Sequence, residues 1–230
     1  MPAARSSLAA LLLLGDGRLP SGGYAHSGGL EAVVRSAGVT DVAGLRSFLE
    51  GRAATAGYVG ACFAAAACAA ASGAAATRQG RISLLDKELD ARMPSPTTRE
   101  VSRSLGRQLL RALSSIHAHP LLETITGPIH QPVAYGVGAA AFELTPHDAA
   151  AVTVYESVAG PAAAAMKVLS TDPFTVQGAV AELAPLLDEL AADAAALAEA
   201  PADELPSLSS PLLDIAAEQH RGLEARLFAS

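Results

Sequence analysis

The 230-residue chain has no tryptophan, and only 4% of its residues are aromatic. Half the chain is nevertheless hydrophobic, so the apolar mass is mostly Ala and Leu. Both are helix formers, β-branched residues seldom cluster, and no convincing run of alternating strand residues appears. The expected fold class is all-α, a single helical bundle of roughly eight to ten helices filling residues 1–230. Lysine is scarce, at Lys87 and Lys167 alone, and the net charge is −7 with no basic block. Phosphate binding needs clustered Lys and Arg, so no nucleic-acid partner is expected.

Cysteine is equally sparse. Cys62 and Cys68, six residues apart on one helix, point about 120° away from each other and cannot pair or chelate together. Buried, reduced thiols in a cytoplasmic protein are the expectation. Residues 8–14 mimic the core of a signal peptide, but Gly15-Asp16-Gly17-Arg18-Leu19-Pro20 follows instead of a small-residue cleavage site. Residues 53–76 lack charge for long enough to span a bilayer, yet they are Ala, Gly and Ser where a spanning helix wants Leu, Ile, Phe and Val. No membrane segment is expected.

Caps and breakers outline the helices. They are expected at about 6–14, 28–37 and from Thr40 or Asp41 to about 72, the last bent near Gly57 and Gly60. Residues 73–80 read as a loop, then a short helix around Leu84, Leu85 and Leu89 ends at Pro94. Further helices are expected at 97–116, 132–143, 147–169 (opened by Thr145 and Pro146) and 173–198, with Pro185 bending the last. The span containing Pro120, Pro128 and Pro132 reads as an irregular link, and Ser210 and Pro211 open a final helix.

Residues 19–31 hold the most unusual backbone. Four glycines and Pro20 lie between two apolar runs, which implies a tight turn aiming Tyr24, His26 and Ser27 outward from a helix start. Ser27 suits an N-cap, and Glu31 suits the positive end of that helix. A Walker phosphate loop fails, since no Gly-Lys-Ser/Thr follows. A nucleophile elbow at Ala25-His26-Ser27-Gly28-Gly29 lacks the strand that must lead into it.

Leu19-Pro20-x-Gly22-Gly23-Tyr24-x-His26-Ser27-x-Gly29-Leu30-Glu31 resembles the N-terminal signature of the urease accessory protein F family. Pro211-Leu212-Leu213-x-Ile215-Ala216, followed by His220 and Arg226-Leu227-Phe228-x-Ser230, resembles that family's C-terminal signature. Gly106-Arg107 and the Ala-Ala-Met-Lys-Val run at 164–168 match more thinly in between. The resemblance implies a non-catalytic, cytoplasmic chaperone with no cofactor, acting as a homodimer. It implies binding to urease accessory protein D (H in some species) and recruitment of the GTPase accessory protein G, for nickel delivery to apo-urease. It also implies partner-binding roles for Tyr24, His26, Ser27, Glu31, Lys167, His220, Arg226, Leu227, Phe228 and Ser230. Gln219, Arg221 and Glu224 depart from the commoner family residues beside His220.

The last helix carries Leu212, Ala216, Leu223 and Leu227 on one stripe. Its Leu227-Phe228 end, where chains usually fray, suggests a tail that docks into a partner and not its own core. Lys167 reads equally as a snorkelling residue near a helix C-terminus. His117, His119 and His130, with Glu123, show no defined metal spacing and read as solvated loop histidines. The other function classes are a serine hydrolase with a helical cap, using Ser27 with His220 and Asp214, and an orphan helical adaptor.

Overall fold

Residues 7–125, 127–221 and 227–228 are described by the computed structural model, and no strand occurs among them. The α-helices are α1 (Leu8–Leu14), α2 (Leu30–Arg35), α3 (Val42–Arg52), α4 (Tyr58–Ser72), α5 (Ala75–Ala91) and α6 (Pro96–Ile116). Then follow α7 (Pro120–Thr124), α8 (Gln131–Ala141), α9 (Pro146–Val168), α10 (Pro173–Glu182), α11 (Ala184–Ala196) and α12 (Pro211–Arg221). A π turn, Ala53–Gly57, joins α3 to α4, so the two run on as one rod from Val42 to Ser72.

The α4 segment is the axis of the bundle. Every residue from Val59 to Ala71 is buried, with α5, α8, α9 and α11 packed around it. Its run of alanines lets neighbouring backbones come close. A Cβ added at Gly136 of α8 would lie 2.3 Å from the Ala64 carbonyl oxygen, so the two helices touch nearly backbone to backbone. The Val42–Ser72 rod is long and apolar enough to cross a membrane, but 72% of its most apolar window is buried against the other helices. Burial also pushes the Cys62 thiol up to about 11 and the Cys68 thiol to about 12, and both are free cysteines.

Capping chemistry fixes most boundaries where the sequence signals them. Asp41 accepts the Gly44 N–H at 2.8 Å, and Asp172 accepts the Thr175 N–H at 2.9 Å. Thr145 and Asp148 form a reciprocal capping box, with Pro146 just inside α9. Three expectations are corrected. Residues 75–80 are helical, because only Gly73 and Ala74 break the chain and Gly80 faces open space. The 173–198 helix is two segments, since Pro185 fits only the first turn of a new helix. Part of the expected irregular link is α7, opened by Pro120 and capped by the His119 ring, which accepts the Leu121 N–H at 3.2 Å.

Candidate functional site

The Gly-rich segment folds as the sequence demands at two points. Gly28 and Gly29 take φ of +60° and +90°, which turns the chain sharply into α2. Ser27 lies inside that turn with no exposed surface, its Oγ accepting the Glu31 N–H at 3.3 Å. The expected outward aim is therefore corrected for Ser27. Tyr24 does point outward, 78% exposed, while His26 is partly buried and burial lowers its pKa.

Glu31 gathers the other end of the chain. Its carboxylate lies 3.0 Å from His220 Nε2 and accepts the N–H groups of Leu227 and Phe228 at 3.0 and 3.1 Å. Burial works to raise its pKa, but those three hydrogen bonds outweigh burial and hold it below its ordinary value. Phe228 is 8% exposed and joins the hydrophobic core, with the Lys167 ammonium 5.8 Å from its ring centroid. The expectation that this tail docks into a partner and not its own core is thus overturned for Phe228. The reason is local: a buried carboxylate supplies the backbone acceptors an unanchored terminus lacks. Glu31, His220 and Phe228 face inward, and Leu227 stays 70% exposed. Arg226 and Ser230 lie outside the described residues, as do Leu223 and Glu224.

The helix leading to the tail packs on α2 and α6. Leu213, Ala217 and His220 form its inner face, whereas Leu212 and Ile215 are 80% and 53% exposed. Of the apolar stripe read in the sequence, Leu212 and Leu227 thus lie outward, because the inner face follows the 213/217/220 spacing that meets Glu31. On its polar side Glu218 accepts the Ser95 hydroxyl and the Thr97 N–H, which anchors α12 to the start of α6.

Between the Gly-rich turn, the π turn, α6, α9 and α12 lies a cavity of about 570 Å³. Arg52 and Glu156, neither of which stands out in the sequence, both line it. Arg52 Nε donates to the Ser157 carbonyl at 2.9 Å. Burial pushes the Glu156 carboxyl up to about 7.

Of the three histidines, His117 and His119 stack with ring centroids 5.6 Å apart, while His130 is held separately by Asp86 and Asp90. His117 stacks on Phe142 with centroids 4.5 Å apart, and its Nε2 lies 3.0 Å from the Ala141 carbonyl oxygen. His130 is fully buried, correcting the solvated reading. Its N–H is donated to Asp86 at 2.8 Å, and its Nε2 lies 3.0 Å from Asp90. Arg103 bridges both carboxylates at 3.0 Å. The i, i+4 spacing of Asp86 and Asp90 was the available signal for that network. Among the described residues no group of three metal-ligating side chains assembles.

The UreF family profile matches residues 39–184. A urease accessory protein UreF from Mycolicibacterium vanbaalenii is 42% identical over 225 residues, 98% of this chain and 100% of the relative. The chain belongs to the UreF family of urease accessory proteins. UreF proteins of Mycobacterium marinum and Mycobacterium tuberculosis are 37% and 36% identical over 227 residues, again covering 98% of this chain and 100% of each relative. The profile leaves out both terminal motifs, while these relatives span them, so the Glu31 cluster lies within the UreF-like length. A hydrolase reading lacks an accessible nucleophile, since Ser27 has no exposed surface.

Proposed function

We propose that the chain is a non-catalytic cytoplasmic chaperone of urease maturation. It binds urease accessory protein D (H), recruits the GTPase accessory protein G as a homodimer, and so serves nickel delivery to apo-urease. The observation that carries this reading is the outer face of α12, where Leu212 and Ile215 are left uncovered by the chain's own core, with Leu227 exposed beyond them. Apolar side chains held on a rigid, hydrogen-bonded helix suit a protein groove, since little ordering entropy remains to be lost on docking. Full-length similarity to proteins named urease accessory proteins supports looking for the groove among the other proteins of urease maturation.

In this reading α12 and the tail, about 211–230, form the docking element of a single domain. Glu31, His220 and Phe228 hold it in shape from within, while Tyr24, Leu212, Ile215 and Leu227 meet the partner. The test is co-purification from a host expressing the cognate urease genes. Wild type is expected to bring down accessory protein D, accessory protein G and apo-urease. The double variant Leu212→Ser/Ile215→Ser should keep its melting temperature and helical content yet lose all three partners and urease activation. Undiminished complex formation by the double variant would remove α12 as the docking face, and failure of the wild type to restore activity would remove the urease role.

A further inference from the structure

Arg52 is the last residue of α3, at the junction with the π turn. The Ser157 carbonyl that its Nε serves is an orphan, because four residues on in α9 stands Pro161, which has no N–H to offer. One edge of the guanidinium therefore has a structural task. Its far end has none. Among the described residues no carboxylate pairs with Arg52, and burial alone acts on its charge, lowering its pKa.

That far end faces the cavity of about 570 Å³. Gly28 keeps the approach clear: a Cβ there would lie 3.2 Å from both Cζ and Nη2 of Arg52, and 2.9 Å from the Pro161 ring. Glu156 lines the same space without forming an ion pair to Arg52, its carboxyl held up at about 7 by burial. Lys167, also on the wall, is turned to the Phe228 ring. The guanidinium is part-buried and has no carboxylate partner among the described residues, so a bound anion would gain a charge-assisted hydrogen bond there.

With Nε occupied, the two Nη groups present an end-on fork that matches the two oxygens of a carboxylate. A phosphate dianion would ask for more charge than one guanidinium supplies. Val101, Leu105 and Leu213 add apolar wall to the same cavity, beside polar groups that include Ser210 and Asp214. We propose that the cavity is a binding site for a small organic carboxylate, held end-on by Arg52, with its apolar body against Leu105 and Leu213. The site uses the inner face of α12 through Leu213, not the outer face proposed to dock a partner.

Benzoate, with benzamide as its neutral counterpart, is the probe, read by thermal shift and by ligand-observed NMR. Benzoate is expected to raise the melting temperature saturably and benzamide to have little effect. Arg52→Lys retains a donor for the Ser157 carbonyl and the positive charge but loses the fork, and should bind benzoate about tenfold more weakly. Ala56→Leu fills the cavity from the π turn without touching the Arg52 hydrogen bond, and should abolish the response even if Arg52→Lys folds poorly. The proposal is overturned if benzoate has no effect on wild type up to its solubility limit, if benzamide matches it, or if either folded variant binds as wild type does.

Discussion

His220 Nε2 lies 3.0 Å from a carboxylate oxygen of Glu31, across 189 residues of chain, with both side chains almost wholly buried. The pair explains why two motifs at opposite ends of the sequence belong together. Glu31 is less the start of a helix dipole than the acceptor around which the C-terminal residues are ordered.

Glu31→Ala leaves the His220 ring and two backbone N–H groups without their acceptor. Breaking a buried pair from one side costs roughly 3–5 kcal/mol, but here the loss stops at the docking free energy of the tail once the tail lets go. The expected outcome is a lowered melting temperature together with new protease cleavage after residue 221. Wild-type protease resistance in the variant would show that Glu31 does not hold the tail.

Acid should release the same contact. The folded pKa of Glu31 lies below its unfolded value of 4.5, because hydrogen bonds overcome the opposing effect of burial. Its stabilisation is therefore fully present above pH 4.5 and is lost as pH falls through the folded value. Fluorine NMR of a fluorinated Phe228 should report docked signal at neutral pH and free signal in acid, while Glu31→Gln should weaken docking without that pH dependence.

Phe228→Ala removes a buried ring and the Lys167 contact. Large-to-small changes of this kind cost about 3–5 kcal/mol in a fixed core, again capped by undocking of the tail. Lys167→Met should cost less, about 0.5–1 kcal/mol for an exposed cation over a ring. Calorimetric unfolding of both variants checks the order. Equal melting temperatures for Phe228→Ala and wild type would place the ring outside the cooperative core.

Glu156 works in the opposite sense. Its folded pKa of about 7 exceeds the ordinary 4.5, so the folded state binds the extra proton and stability falls as pH rises between those values. Glu156→Gln should raise the melting temperature at pH 8, by up to about 3 kcal/mol of stability, and change it little at pH 4. An equal gain at both pH values would assign the effect to packing.

Gly136→Ala tests the closest helix contact. The added methyl meets the Ala64 carbonyl oxygen at 2.3 Å and the Ala67 Cβ at 2.7 Å, neither of which is the end of a flexible side chain. Overpacking costs about 1–3 kcal/mol or more where backbone must move. A melting temperature as high as wild type would mean that α4 and α8 separate more easily than their packing implies.

Helix class and most caps were legible because they are local: Asp41, Thr145, Pro146, Asp172 and Pro173 act within one turn of themselves. The long apolar rod was legible as a core helix from its alanine content. What could not be read were contacts between distant residues. Nothing near Phe228 in sequence announces Glu31, so a free apolar terminus was the natural reading. His130 read as a solvated loop residue for the same reason, since Asp86 and Asp90, which hold it, lie 44 and 40 residues earlier. Arg52 drew no attention because its meaning depends on Pro161, more than a hundred residues later.

The closure at Glu31 has a consequence for synthesis. Glu31 leaves the ribosome early, but its carboxylate stays unfilled until His220, Leu227 and Phe228 arrive, after every other helix can already have packed. Such long-range closure carries a loop-entropy cost that local helix contacts do not, so it is the last contact expected to form. A nascent chain halted short of residue 220 would thus leave the Glu31 carboxylate hydrated, without the hydrogen bonds that hold it in the finished protein.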